Sequence, residues 1–374
     1  MLSDVTIFKL ETEINRIYAE VEADLVSAIA KELAKGVDAS ISPVSWRVEK
    51  LRQMGRLEGK LANTLRDSTR GVQADLEDSI IRAMLGAGKE DDSVLQKITD
   101  IKAQIKAGTF VDVAKSEAYE KLTKAAIANA RTALNLTNTR ALQAANEMWV
   151  RSVNSAYIKA LTGSTPLDQA VKLSVREMAK QGAYVTYTSA SGRTTKTSLE
   201  VAVRRDVVTS VSQAAAELTI ERCGENGLDL VEVTSHEGSR PEHAVWQGKV
   251  YSLTGATKGY DLLAVATGYG EVDGLCGVNC RHSFYPYYPG LSKEGDAPPA
   301  KTDNARTYEL TQKQRYIERN IRAAKREAVV CEAGGDQLGA ERARGRVANY
   351  QATMRDFIES TGLTRQYPRE QIFS

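Results

Sequence analysis

The sequence predicts an α+β protein that is mainly α: a long N-terminal helical arm or bundle, a small α+β motif domain, and a C-terminal helical tail. Three observations carry that prediction. Apolar residues recur at steps of three and four through most of the first 160 positions, the period of one helix face. Proline divides the chain, because only Pro43 and Pro166 precede residue 240 whereas Pro241, Pro286, Pro289, Pro298 and Pro299 crowd into the following 60. Finally, all three histidines, His236, His243 and His282, share one stretch of 47 residues with Cys276 and Cys280. If the chain carries chemistry, it is expected there.

With 374 residues, 42% of them hydrophobic and 26% charged, the chain can bury a sizeable core and falls outside the disordered and disulfide-stapled classes. Two or three domains are expected, divided as residues 1–162, 163–300 and 301–374. Four cysteines in a chain of this length indicate a reducing compartment without structural disulfides. The N-terminus lacks the basic-then-apolar order of a signal peptide and reads as a mature start. No apolar run approaches 18 residues and the mean hydropathy is −0.36, so no membrane segment is expected. Fifty Lys+Arg against 48 Asp+Glu leave a net charge of +2, which excludes a surface that attracts nucleic acid everywhere.

The elements follow in order. Ile7, Leu10, Ile14, Ile17, Val21, Leu25 and Ala28 form the first helical stripe. A second runs Val48, Leu51, Met54, Leu61, Leu65, Val72, Leu76, Ile80 and Met84, and Gly86-Ala87-Gly88 is expected to end it as a C-cap and turn. A shorter helix is expected over Val94 to Ile105. The third stripe, Ile127, Ala130, Leu134, Ala141, Ala145 and Met148, meets Thr137 and Asn138 where its seam should be apolar, which predicts bundle packing with one polar layer. Because these stripes are rich in Ala, an elongated bundle is expected. Thr165-Pro166 reads as an N-cap followed by proline at the first helical position, closed at Gln181-Gly182. Residues 183–198 read as a β-hairpin turning at Ser191-Gly192, and Leu199 to Cys223 as helix. Residues 228–234 alternate apolar with polar, the pattern of a half-buried strand that delivers His236. After the turn at Ala297-Pro298-Pro299, helices are expected over Tyr308–Glu332 and Gln337–Ser360.

Charge is unevenly placed. Residues 227–300 hold five Lys/Arg against nine Asp/Glu, whereas Lys313 to Arg326 holds six cations and one acid, Glu318. The cations Lys313, Arg315, Arg319, Arg322, Lys325 and Arg326 admit two readings: the solvated face of an amphipathic helix packed through Ile317, Ile321 and Ala324, or sequence-independent contact with the phosphates of double-stranded DNA.

The candidate site is the run Arg240-Pro241-x-His243-x-x-Trp246-x-Gly248-Lys249, followed some thirty residues later by Cys276-x-x-Asn279-Cys280-Arg281-His282 and an aromatic–proline run. On those residues the chain resembles the tailed-bacteriophage minor capsid proteins of the type-2 family, related to the Mu F and SPP1-like head morphogenesis proteins. His282 is a departure, since many Mu F-like relatives carry Asn-Cys-Arg-Cys. The resemblance implies a structural, non-enzymatic protein of the virion, associated with the portal protein and other capsid proteins, acting in head morphogenesis, DNA packaging or ejection.

The residues themselves leave alternatives. Cys280 and His282 point to one face of an extended segment, and with Cys276 and His243 or His236 they would make a Cys2His2 zinc site. Equally, both cysteines serve as small buried apolar groups while Arg281 and His282 hydrogen-bond loop carbonyls, with no cofactor at all. A third reading makes Arg240, His243 and His282 an acid/base pair with an anion clamp, the basis of a nuclease-, transferase- or toxin-like effector. The sequence offers it no nucleophile elbow, phosphate loop or His-Glu-x-x-His. The glycines 255, 259, 268, 270 and 274 lack the dinucleotide-binding order and read as turn residues.

Overall fold

The computed structural model describes residues 2–37, 40–103, 112–162, 165–188, 192, 194–292 and 297–372. It is 69% helical with two small antiparallel sheets, so the mainly-α, α+β class holds. The helices are α1 (Asp4–Ala34), α2 (Pro43–Arg52), α3 (Met54–Ser68), α4 (Val72–Ala103), α5 (Glu117–Leu161), α6 (Leu167–Gln181), α7 (Leu199–Glu225), α8 (Leu263–Thr267), α9 (Lys301–Ala333) and α10 (Gln337–Thr361). The strands are β1 (Tyr184–Thr188), β2 (Thr194–Ser198), β3 (Leu230–Val233), β4 (Val250–Ser252) and β5 (Phe284–Pro286). None of the described helices is long and apolar enough to cross a membrane.

The chain gathers into two compact units, each drawn from three stretches: residues 1–11, 73–133 and 204–312 in the first, and 12–72, 134–203 and 313–374 in the second.

In the first unit the motif region is built on a three-stranded sheet of order β4-β3-β5, with β3 central and antiparallel to both neighbours. The half-buried alternation expected of residues 228–234 is corrected here: all four residues of β3 are buried, because a central strand covered on both faces loses the in–out pattern. Leu95 and Ile98 of α4 and Ala216 and Cys223 of α7 join Val231, Val233, Trp246, Tyr251, Leu263, Leu275 and Phe284 in one core.

The same unit corrects the expected helix end at Gly86-Ala87-Gly88. Helix α4 runs straight through it and absorbs the separate helix expected from Val94; the expected end at Ile105 lies outside the described residues. Gly88 is there for proximity and not termination, since a Cβ on it would lie 2.3 Å from Val113 Cγ2 and 3.4 Å from Leu218 Cδ2. Nothing lies within 4 Å of a Cβ at Gly86.

In the second unit, the first stripe is buried as expected at Ile14, Val21 and Leu25. The second stripe is not one helix: it breaks at Gln53, which caps both α2 and α3, and again after Ser68, where Thr69 caps α3 and Gly71, with φ 84°, turns the chain into α4. Trp46 on α2 is fully buried. The polar layer of α5 is present, with Thr137 fully buried and Asn138 Oδ1 accepting a 3.0 Å hydrogen bond from Tyr18 Oη. Helix α6 starts one residue later than expected, with Pro166 itself at the N-cap and no side-chain cap bond. The hairpin forms with Tyr184 opposite Ser198 and Thr188 opposite Thr194; Gly192 has the positive φ its turn needs, and Ser191 lies outside the described residues. Helices α9 and α10 pack through Ile317, Ile321 and Met354, and α9 begins at Lys301, earlier than Tyr308, directly after the proline pair.

Candidate functional site

The motif residues converge on the end of β3. Beyond it, Thr234 N donates to Ser283 O and Ser283 N donates to Thr234 Oγ1, which fixes the segment before β5 alongside the segment after β3. Residues 240–248 form a compact turn: Arg240 O accepts from His243 N and Ala244 N, and Gly248 N returns to Val233 O at 2.9 Å. Gly248 takes φ 65°, which closes the loop back onto the strand. Trp246 is buried, and its carbonyl accepts from Tyr251 Oη at 3.0 Å.

The second half of the motif is a glycine-rich loop folded against itself. A Cβ on Gly274 would lie 1.9 Å from Gly268 O, so the backbones meet at a distance only glycine allows. Cys276 and Asn279 sit in left-handed conformations, φ 58° and 56°, and thereby turn the chain so that Cys280 and His282 face inward.

Inside, the three histidine rings and Trp246 form a stack. His236 lies 4.2 Å from His282 nearly parallel, while Trp246 meets His243 and His282 at 4.7 Å each, the latter edge-on. His243 and His282 are 3% and 2% exposed. The Nε2 atoms of these two are engaged, at 2.9 Å from Asp273 O and 3.0 Å from Gln247 Oε1. Their Nδ1 atoms both lie 3.7 Å from Cys280 Sγ. Burial pushes His282 down to about 2, helped by the neighbouring His236, His243 and Arg240, and pushes His243 down as well; both rings are neutral at neutral pH. Burial also raises the Cys280 and Cys276 thiols.

The remaining motif residues hold the chain. Arg240 Nη2 donates to Val278 O, joining the two halves of the motif, and Arg281 pairs with Glu11 Oε2 at 3.0 Å, where Glu11 also receives Arg204. Arg240 is thus the guanidinium on a loop carbonyl, the task the sequence suggested for Arg281. Pro241, Lys249 and Asn279 are exposed. Of the four proposed zinc ligands, His243, Cys280 and His282 come together, with all their ligand atoms within 4.8 Å of one another. Cys276 stays outside that group, its Sγ directed at His282 O, 3.6 Å away.

Two residues were missed. Gln247 was an unassigned position between Trp246 and Gly248, yet its Oε1 also accepts from His236 N at 3.2 Å. Asp229, to which the sequence reading gives no role, accepts from the hydroxyls of Ser252, Thr254 and Thr257 at 2.6 Å each and from two backbone N–H groups. The density of Ser and Thr after β4 was the signal available for it.

The basic run is divided. Lys313 and Arg319 are exposed and Arg315 is half-buried. Arg326 is 9% exposed and pairs with Glu22 at 2.8 Å while donating to Ala179 O; Arg322 pairs with Glu200, and Lys325 donates to Gln371 Oε1.

Fold and site together define a class: a mainly helical protein with a small sheet-based centre, whose guanidinia and buried histidines bind the protein's own carbonyl, amide and carboxylate oxygens. The family described as Phage minor capsid protein 2 matches residues 2–359, and the chain belongs to that family, as a structural component of a bacteriophage virion. Among individual proteins it is similar to a "Structural protein" of Lactococcus phage LL-H, 24% identical over 340 residues that span 87% of this chain and 88% of that protein. It is also similar to a "Structural protein" of Lactococcus phage mv4, 34% identical over 106 residues, 28% of this chain and 86% of that protein. No solved structure matches the chain.

Proposed function

We propose that this minor capsid protein sits at the portal vertex of the phage head in few copies, where it contacts portal and shell proteins and takes part in prohead assembly and in packaging or ejection of the genome. The observation that carries the structural reading is the internal commitment of the motif. An acid/base centre needs an imidazole that a substrate can reach and protons can leave, whereas His243 and His282 are buried with both nitrogens turned to protein atoms. In this reading helices of residues 1–162 supply docking surface, the three-stranded sheet and the motif loops packed on it a rigid centre, and residues 301–374 the basic helices. Contact with packaged double-stranded DNA falls to Lys313 and Arg319, the exposed cations of the Lys313–Arg326 run.

Cross-linking mass spectrometry on proheads and mature virions tests this. Cross-links to the portal protein, with the chain far below the major capsid protein in abundance, are the expected result. Cross-links confined to shell or tail proteins, or stoichiometry equal to the shell, would overturn the placement.

A further inference from the structure

We propose that His243 Nδ1, Cys280 Sγ and His282 Nδ1 bind a zinc ion, with a water or other small ligand in the fourth position. Proton counting supports it first. Asp273 O can only accept, so His243 carries its proton on Nε2. The Gln247 amide is oriented by His236 N–H, which requires oxygen at Oε1; His282 therefore also carries its proton on Nε2. Both Nδ1 lone pairs then face one sulfur, and a thiol has a single proton to give. One of the two imidazole acceptors is left facing sulfur with no hydrogen between them, among the buried residues of the unit's core. A divalent cation at the centre of the three atoms removes that mismatch.

Geometry supports it independently. Tetrahedral zinc with Zn–S near 2.3 Å and Zn–N near 2.05 Å sets sulfur and nitrogen about 3.6 Å apart. Both separations here are 3.7 Å. Each histidine also gives its other N–H to a carbonyl or amide oxygen, the outer arrangement that fixes the tautomer of metal-bound imidazoles. Two imidazoles and one thiolate suit zinc. On binding, the S–Zn bond forms as the Cys280 S–H bond breaks; the proton leaves to solvent, and nothing is oxidised or reduced. The ion ties residues 240–248 to the segment entering β5, 37 positions away.

The test uses the full chain, purified from zinc-supplemented cells and dialysed at micromolar free zinc. Elemental analysis is expected to find about one zinc per chain, falling at least about tenfold in Cys280→Ser and His282→Gln and unchanged in Cys276→Ser. Folded, helical wild-type protein without zinc would overturn the site, and loss of zinc in Cys276→Ser would overturn this ligand set. Because a ligand variant can fail by unfolding, cobalt is loaded into the wild-type chain as a second readout. Intense visible bands with a thiolate charge-transfer shoulder support the site, whereas the weak spectrum of octahedral cobalt sinks it.

Discussion

At the scale of single residues, the site is organised by side chains with no chemistry of their own. Gln247 serves two partners, the His236 N–H and the His282 ring, so Gln247→Leu leaves a buried donor on each. A loss of about 2–4 kcal/mol in urea unfolding is expected, and a loss under about 0.5 would show that the amide does not hold the ring. Asp229 gives a pH signature. Against the partial desolvation that would raise its pKa, the hydroxyls of Ser252, Thr254 and Thr257 hold it well below the usual carboxylate range. A depressed carboxylate contributes stability that is complete above its unfolded pKa, near 3.9, and drains away as pH falls below that value toward the folded one. Stability should therefore drop below about pH 4, with Asp229→Asn flattening that slope and costing about 2 kcal/mol at pH 7. The histidine and cysteine positions were legible from the motif. Gln247 was not, because a glutamine gains meaning only from the two groups it happens to face.

At the scale of elements, glycine was the misleading letter. Gly86 and Gly88 look alike in sequence, and both lie inside α4. Ala at position 86 meets open space and removes unfolded-state entropy, so Gly86→Ala should stabilise by about 0.5–1 kcal/mol. At position 88 the same change gains the same propensity but drives a methyl to 2.3 Å from Val113 Cγ2, and valine is stiff about χ1. The clash wins: a net cost of about 1–2 kcal/mol is expected, largely relieved in the double variant Gly88→Ala/Val113→Ala. Equal effects at the two positions in thermal unfolding would refute the assignment. The stripe in α1, the polar layer in α5 and the hairpin β1–β2 were all readable, since periodicity and turn residues act locally. The alternation expected in β3 failed because pattern reports burial on one face, and β3 is covered on two.

At the scale of the whole molecule, the near-zero net charge conceals pairing across long sequence distances. Burial pushes the Glu22 carboxyl up, while Arg326, 304 positions away, and the Ala183 N–H pull it back. Arg326→Ala would strand that carboxylate, so a loss of about 3–5 kcal/mol is expected, whereas Arg319→Glu should change stability by less than about 0.5 kcal/mol. If charge reversal at Lys313 and Arg319 leaves DNA binding and its salt slope unchanged, those two cations have no role on phosphate. By itself the sequence determined the helical class, the succession of helices, and the motif that places the chain among phage minor capsid proteins, because periodicity, proline and residue spacing are local properties of the chain. Only the tertiary structure decided that His243, Cys280 and His282 meet while Cys276 turns aside, that α4 does not stop at its glycines, and which arginines are buried in ion pairs. Each of those depends on what another part of the chain presents at a distance of a few ångströms, and spacing along the sequence carries no record of it.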